Sequence, residues 1–267
     1  MSVQTLYTAA TGMESLQTKL DVIANNLANV NTVGFKKDRA NFEDLFYRND
    51  VLPGAETQGQ LTPTGIHTGL GTRVSSVQSN FGQGAFQLTN GQLDLAIEGN
   101  GFFPINDPAT GETLYTRAGN FSLNADGQIV MGSASVGRSL DPTITIPPDA
   151  KDIIISSDGN VSVRAGDQQQ LSQLGQIQVA SFRNPDGLLK LGDNLFAVTD
   201  ASAAATLGTP GQQGLGSIRQ NVLEASNVEP VQELIDLITT QRAFELNSQT
   251  VKAGDQILEL VANLRRF

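Results

Sequence analysis

The side chains that most often carry acid–base or nucleophilic chemistry are almost absent from this sequence of 267 residues. It has no cysteine and a single histidine, His67, which lies in a stretch rich in glycine and proline. Thiolate nucleophiles, disulfides and metal sites built from several His or Cys side chains are therefore excluded. A Ser–His–Asp triad would need His67, yet the chain has no Gly-x-Ser-x-Gly elbow. We interpret His67 as an exposed loop residue.

Two other patterns could in principle serve an enzyme. Asp94 and Glu98 form a carboxylate pair of the kind that hydrolyses glycosides, but such pairs are usually solvated side chains. The Gly-x-Gly pairs that start at Gly69, Gly82 and Gly99 lack the third glycine of a dinucleotide fingerprint and the Gly-Lys-Ser/Thr of a P-loop. We interpret them as turns. The sequence thus predicts no catalytic, cofactor or metal site, and a protein that is not an enzyme.

The charge balance limits the partners. Lys and Arg number 17 and Asp and Glu number 27, which gives a formal net charge of -10. An acidic surface repels nucleic acid and anionic membranes, so we expect neither as a partner. No apolar run approaches the roughly 20 residues of a membrane helix, and the N-terminal residues lack the basic start and apolar core of a secretory leader. We expect no membrane insertion and no cleaved signal peptide.

Long helices are predicted at both ends of the chain. In the N-terminal part, apolar residues recur at alternating spacings of three and four: Leu6, Ala9, Met13, Leu16, Leu20, Ile23, Leu27 and Val30. This is the seam of a coiled coil, which needs a partner helix along its length. Gly34 suits a left-handed stop after the helix.

The C-terminal helix is expected to begin near Pro230, where a missing N–H costs least, and to run to Phe267 with Arg265 and Arg266 in its last turn. Its predicted contact stripe includes Leu234, Ile238, Phe244, Val251, Leu258, Val261 and Leu264. Gly254 is expected to loosen the helix.

The middle of the chain has the period of β-strands. Alternating residues flank Asp126-Gly127 and Asp158-Gly159, each of which predicts a hairpin. Further strands are predicted at 93–97, 176–182 and 195–199. Residues 49–72 and 200–217, rich in glycine and proline, predict irregular loops.

These patterns predict an α+β fold. Long N- and C-terminal helices form a coiled-coil-like inner domain, and the central part forms an antiparallel β domain. The expected divisions are residues 1–34 for the first helix, 35–92 for an extended linker, 93–222 for the β domain and 223–267 for the last helix. The pattern leaves open whether the two helices pair within one chain or between copies.

Several segments resemble the flagellar rod and hook proteins. They are Asn25-Asn26-Leu27-Ala28-Asn29-Val30-Asn31-Thr32-Val33-Gly34-Phe35-Lys36, Glu224-Ala225-Ser226-Asn227-Val228, Thr240-Gln241-Arg242-Ala243-Phe244-Glu245, Asp94 to Phe103, and Tyr115 to Phe121. Residues 42–74, including Pro63-Thr64-Gly65 and Gly69-Leu70-Gly71, are similar to the distal-rod branch of this family.

The resemblance implies a structural subunit that polymerises helically with itself into a rigid tube around the export channel. The implied partners are proximal-rod and hook-side axial proteins, the surrounding P- and L-ring bushing and the flagellar type III export apparatus. The implied location is the basal-body rod across the periplasm. On this view the interface between subunits comprises Leu6, Met13, Leu16, Leu20, Ile23, Leu27, Val30 and the C-terminal stripe given above.

Three alternatives stay open from the sequence. The chain could be another axial subunit of the proximal-rod or hook type. It could be a cell-wall hydrolase associated with the flagellum. If the motifs are set aside, it could be a cytoplasmic coiled-coil adaptor with a β domain.

Overall fold

The computed structural model describes residues 3–54, 56–57, 60–61, 64–132, 137–165 and 171–264. The chain forms two compact units. Unit 1 comprises residues 1–28, 38–79 and 229–267, and unit 2 comprises residues 29–37 and 80–228. The predicted α+β class is confirmed, with one long helix towards each end and antiparallel strands between them.

Unit 1 contains both long helices and three strand pairs. Its elements are α1 (Val3–Ala28), β1 (Asp38–Asp44), β2 (Tyr47–Val51), β3 (Glu56–Thr57), β4 (Gln60–Leu61), β5 (Ile66–Gly69), β6 (Thr72–Ser79) and α2 (Pro230–Leu264). Strand β1 pairs with β6, β2 with β5 and β3 with β4, all antiparallel. Pro230 is the first helical residue of α2, as its lack of an N–H favours. The predicted Arg265, Arg266 and Phe267 lie outside the described residues.

Unit 2 is an all-antiparallel β structure. Its strands are β7 (Phe86–Leu88), β8 (Leu95–Glu98), β9 (Phe103–Asn106), β10 (Thr113–Thr116), β11 (Phe121–Leu123), β12 (Ile129–Met131), β13 (Ser139–Leu140), β14 (Ala150–Ile155), β15 (Asn160–Ala165), β16 (Ser172–Gln176), β17 (Val179–Ser181), β18 (Leu189–Gly192), β19 (Leu195–Ala197), β20 (Thr206–Gly208), β21 (Ser217–Gln220) and β22 (Val222–Glu224). A 3-10 turn spans Pro185–Gly187.

The largest sheet of unit 2 has seven strands in the order β11-β12-β13-β9-β10-β19-β18. A second sheet has the order β14-β15-β16, and β17 pairs with β20, β21 with β8, and β22 with β7. Apolar residues from these strands form one core, in which Leu95, Ile97, Phe103, Ile105 and Ile129 are fully buried. In β15 the alternating Val161 and Val163 turn to the core, whereas β8, β9 and β12 are buried at consecutive positions and so on both faces.

Both predicted Asp-Gly hairpins are confirmed. In the turn between β11 and β12, the Asn124 side-chain oxygen accepts the N–H groups of Asp126 at 3.0 Å and Gln128 at 2.8 Å. Between β14 and β15, Gly159 has a φ of 80°. A side chain is strained in that conformation, and a Cβ there would also meet the Ile177 carbonyl oxygen, so the turn requires glycine.

Several predictions of irregular or continuous structure are wrong. Residues 49–72 include strand β5 and parts of its neighbours, and residues 200–217 include β20, because their backbone groups find antiparallel partners. The single strand predicted at 176–182 is two strands, since β16 pairs with β15 whereas β17 pairs with β20. The chain changes sheet at Ile177, which is fully buried.

Gly34 does not stop α1, which ends at Ala28. It does have a φ of 67°, and a Cβ there would lie 2.8 Å from the Ala118 nitrogen and the Arg117 carbonyl carbon. Glycine is needed at this position for close backbone contact inside unit 2. Among the helices in the described part of the chain, none is both long and apolar enough to cross a membrane.

Candidate assembly interface

Helices α1 and α2 pack against each other in an antiparallel pair within unit 1. Three contacts define the register: Leu6 with Gly254, Gly12 with Asn247, and Asn26 with Glu233. Residue numbers rise along α1 while those of the paired residues fall along α2. The two helices are therefore antiparallel and keep the same register over all three contacts. The sequence predicts that Gly254 loosens α2, and this prediction is wrong. Gly254 is buried within the helix, and the absence of a side chain there makes room for Leu6.

Asn26 is a buried polar residue that ties α1 to two other elements. Its Nδ2 donates to the Asp38 carbonyl at 2.9 Å and to Glu233 Oε2 at 3.3 Å. Its Oδ1 accepts the Asp38 N–H at 2.9 Å. A slip of α2 would break the bond from Asn26 to Glu233, and a slip of α1 would break all three bonds, which a buried polar group can lose only at a cost in free energy. A single buried Asn is a known device for fixing helix register.

The face of α2 that is turned inward has a polar character. Its buried and half-buried residues recur three or four positions apart: Glu233, Leu237, Thr240, Phe244, Asn247, Val251 and Gly254. Glu233 and Thr240 are buried, and the Thr240 hydroxyl donates to the Asp236 carbonyl at 2.6 Å. This seam buries few large apolar groups.

The outward face of α2 has exposed apolar side chains at both of its ends and one, Leu246, near its middle. Large exposed side chains follow a helical period on it: Val231, Ile235, Ile238, Leu246, Ile257 and Leu260. Leu260 is 63% exposed and Leu246 is 64% exposed. We call these six residues the outer row. A row of this length and spacing is the face that a helix presents to another helix.

The predicted interface residues are divided between the two faces. Ile23 is buried, and the half-buried ones are Leu6, Met13, Leu16, Leu20, Leu27, Val30, Phe244 and Val251. Leu234, Ile238 and Leu258 are exposed. Val30 lies beyond the end of α1, and the side chains of Val261 and Leu264 lie outside the described part of the chain. The predicted stripe thus crosses from one face of α2 to the other.

A second exposed apolar group lies on the strand segment of unit 1. Phe46, at the start of the β2–β5 hairpin, is 89% exposed, and Tyr47, Leu52 and Ile66 are also exposed. The base of the hairpin is fixed to α1, since Arg48 donates to the Gln4 side chain at 2.8 Å. The hairpin is therefore held at its base while its apolar side chains lie in solvent.

In unit 2, a buried ion triad brings together three of the sequence motifs. Lys36 Nζ lies 2.6 Å from Glu224 Oε1, and Arg117 Nε lies 2.7 Å from Glu224 Oε2. The side chains are 1%, 5% and 1% exposed for Lys36, Arg117 and Glu224. Lys36 belongs to the N-terminal motif, Arg117 to the central one and Glu224 to the C-terminal one. Sequence reasoning missed this triad; three charged residues inside otherwise apolar or glycine-rich motifs were the available signal.

The triad is hydrogen-bonded on all sides, as buried charges must be. Lys36 Nζ also donates to the Gly82 carbonyl at 2.8 Å, and Glu224 Oε1 accepts the Gly84 N–H at 2.8 Å. The Arg117 guanidinium donates to the carbonyls of Ile97 at 2.9 Å, Gly99 at 2.6 Å and Gly101. The guanidinium thus fixes the turn that follows β8.

Burial and the neighbouring charges shift the pKa values of Glu224 and Lys36. Burial alone raises the pKa of Glu224, but the nearby Arg117 and Lys36 cations and their hydrogen bonds outweigh it, so this pKa lies below its ordinary value. Burial lowers the pKa of Lys36, and the attraction of Glu224 offsets this only in part.

The residues that could have served an enzyme are engaged elsewhere or exposed. His67 is exposed, and its ring makes an edge contact with Tyr47 at 5.9 Å between centroids. Asp94 accepts the Thr89 hydroxyl at 2.6 Å, and Glu98 lies 3.7 Å from Arg219. Among the described residues there is no group of three or more His, Asp or Glu side chains placed to hold a metal ion.

Three family models match successive parts of the sequence. Residues 6–36 match a model described as flagella basal body rod protein. Residues 96–163 match the flagellar hook protein FlgE/F/G D1 domain, and residues 219–264 match the flagellar basal body rod FlgEFG protein C-terminal model.

Curated relatives match nearly the whole chain. The flagellar basal-body rod protein FlgG of Caulobacter vibrioides is 48% identical over 98% of this chain and 100% of the relative. The protein of the same name in Agrobacterium fabrum is 44% identical, covering 97% of this chain and 98% of the relative. That of Borreliella burgdorferi is 42% identical over 99% of both chains.

Proposed function

Because the chain belongs to the family of flagellar basal-body rod proteins, we propose that copies of it polymerise helically into a rigid, torque-transmitting tube around the export channel. It is a structural subunit of the distal rod and not an enzyme. The observation that carries the proposal of a helical polymer is the outer row of α2. Its apolar side chains have no cover among the described residues of the chain, and helices of neighbouring copies would supply one.

The polymer is proposed to be held together by coiled-coil-like packing. The half-buried residues of α1, including Leu16 and Leu20, recur with spacings of three and four, and the outer row of α2 stays on one stripe of its helix with wider gaps on either side of Leu246. Contacts between different faces of successive copies generate an open helical filament rather than a closed ring. Two neighbouring copies, one on each of two sides, would together cover the exposed faces of α1 and α2.

We propose that the chain is divided into an inner tube domain and an outer β domain. Residues 1–34 and 223–267 contribute the inner tube domain and residues 93–222 the outer β domain, with 35–92 between them. The grouping of α1 and α2 in one unit supports this. Residues 38–79 group with the helices, so in this proposal they line the inner domain instead of forming a free linker.

The β2–β5 hairpin is proposed to stiffen the tube. Arg48 at its base donates to the Gln4 side chain of α1, and the exposed apolar side chains beyond it, Leu52 and Ile66, are free to contact neighbouring copies. Deleting residues 49–66 should give rods that assemble but bend. Straight, rigid rods after this deletion would defeat the idea.

The partners are proposed to be further copies of the chain, the proximal-rod and hook-side axial proteins, the P- and L-ring bushing and the type III export apparatus. The site is proposed to be the rod across the periplasm, reached without a cleaved signal peptide. These assignments follow from the family and the absence of cysteine, which leaves folding independent of oxidation.

The position of labelled chain in isolated basal bodies tests the function. Cells that lack the native subunit are supplied with an epitope-tagged copy, and antibody label is located by electron microscopy. We expect label on the distal part of the rod. Label on the proximal rod or the hook would favour another axial role, which deserves a test because one family model is named for the hook protein.

Helix formation is proposed to be coupled to assembly, because isolated helices with a narrow apolar seam are marginal in water. Limited proteolysis of the soluble chain measures this. Rapid trimming of both ends to a core of about residues 35–225 would support the coupling. Resistance of the whole chain would mean that α1 and α2 already form a stable pair in the free subunit.

A further inference from the structure

The chain passes between the two units at four places, which follow residues 28, 37, 79 and 228. On the side of unit 2, the segments at these places are joined by one hydrogen-bonded network. Its centre is formed by Lys36, Arg117, Glu224 and Asn227, which we call the clasp. Every bond described below lies inside unit 2.

On the side of unit 2 the four places bound three segments: residues 29–37, the segment that begins at residue 80 and the segment that ends at residue 228. Asn227 belongs to the last segment and binds the other two directly. Its Oδ1 accepts the Lys37 N–H at 2.8 Å, and its Nδ2 donates to the carbonyls of Asn80 at 2.8 Å and Gly82 at 3.1 Å. Asn80 in turn donates its N–H to the Lys37 carbonyl at 2.8 Å. Asn227 itself lies one residue before the fourth place of passage.

Glu224 binds the segment 29–37 at two further points. Residues 29–37 lie between two places of passage, and Glu224 holds them by its carbonyl, which accepts the Gly34 N–H at 2.8 Å, and by its carboxylate on Lys36. The same carboxylate accepts the Gly84 N–H and pairs with Arg117, which anchors the network to the turn after β8. The clasp therefore connects all three segments to the core of unit 2.

A network of this kind changes how the segments respond to force. A segment held by separate bonds loses them one at a time, whereas segments that share buried, charged partners must give up many bonds together. We infer that the clasp makes the three segments open as one cooperative body and so passes load between the terminal helices and unit 2. The part of this inference that concerns load rests on the proposed function in the rod.

The test uses the full-length chain with Asn227→Ala and a matched control, Asn124→Ala. Asn124 also caps a turn of unit 2 with three side-chain hydrogen bonds, to Asp126 and Gln128. Hydrogen exchange is measured at single amides. In Asn227→Ala we expect the amides of Gly34, Lys37, Asn80 and Gly84 to exchange on the order of tenfold faster together, while core amides of β9 and β10 keep their rates.

In cells that make only the variant chain, rods carrying Asn227→Ala should form at normal length. Their motors should turn small beads at normal speed but slow or stall when the whole cell is tethered, whereas Asn124→Ala should behave as wild type under both loads. Acceleration confined to Lys37 would show that the segments are independent and would overturn the inference. Equal acceleration of core amides, or normal rotation of tethered cells, would also overturn it. In each of these cases normal rods would leave the proposed function standing.

Discussion

Leu260→Asp should abolish assembly and leave the free subunit folded. Leu260 is 63% exposed in the single chain, so the fold makes little use of its side chain. The substitution should lower the stability of α2 by only about 0.5 kcal/mol, the difference in helix propensity. Circular dichroism and thermal unfolding of the purified subunit should therefore change little.

The effect on the polymer should be large. Full burial of a leucine is worth about 1.5–3 kcal/mol, so covering the part still exposed contributes roughly 1–2 kcal/mol for each copy added. A carboxylate left in the same apolar contact adds a desolvation cost of about 2 kcal/mol or more. Together these exceed about 3 kcal/mol, which raises the critical concentration more than about 100-fold, since 1.4 kcal/mol is a factor of ten.

The assay is sedimentation of polymer against subunit concentration, with electron microscopy of the pellet. Gln241→Asp is the control, because Gln241 is exposed on the same helix and gains the same charge about a third of a turn away from the middle of the outer row. It should polymerise at the wild-type concentration. If Leu260→Asp does so too, the outer row is not covered in the polymer and the reasoning is wrong.

Three further outcomes test the fold beneath the interface. Gly119→Ala should destabilise unit 2 by about 3 kcal/mol or more in urea unfolding, because the new Cβ would clash with the Leu95 carbonyl oxygen, whereas Gly137→Ala has open space and should be neutral. Glu224→Gln should cost about 3 kcal/mol at neutral pH, since it leaves two buried cations short of a counter-charge. The depressed pKa of Glu224 means that the unfolded chain binds this proton more tightly, so wild-type stability should fall as pH drops below about 4.5, and the Gln variant should lose less over that range. Asn26→Ala should weaken the pairing of α1 with α2 by about 1–3 kcal/mol and so raise the critical concentration for assembly, without changing the urea unfolding of unit 2.

The sequence was sufficient for the helices and hairpins whose local signals agree with their surroundings. Pro230 marks the first turn of α2, and Asp-Gly turns mark two hairpins of unit 2. The sequence was not sufficient to predict the strand pairs that join distant segments of the chain. Strand β6 is paired with β1 through residues far apart in the chain, and no local pattern at 49–72 reveals the partner.

The interface was only partly predictable for a related reason. Helix α2 has apolar residues on two faces, and periodicity alone cannot say which face the same chain covers. The predicted stripe took Phe244 and Val251 from the inner seam and Ile238 from the outer row. The ion triad was not predicted, because single charged residues give no periodic signal. The β fold must be complete before it brings the three side chains into contact.

The distribution of side chains on α2 is the reverse of that on a helix that stabilises a monomer. An ordinary surface helix turns its apolar stripe to the core and its polar face to water. Here the seam against α1 mixes Glu233, Thr240 and Asn247 with the half-buried Leu237, Phe244 and Val251, and six further large apolar side chains, those of the outer row, point outward. The polar seam fixes register but buries little apolar area, so it contributes specificity more than stability. Most of the hydrophobic free energy available to α2 is therefore released only when another helix covers the outer row, which makes assembly, and not the fold of the single chain, the state that this helix favours.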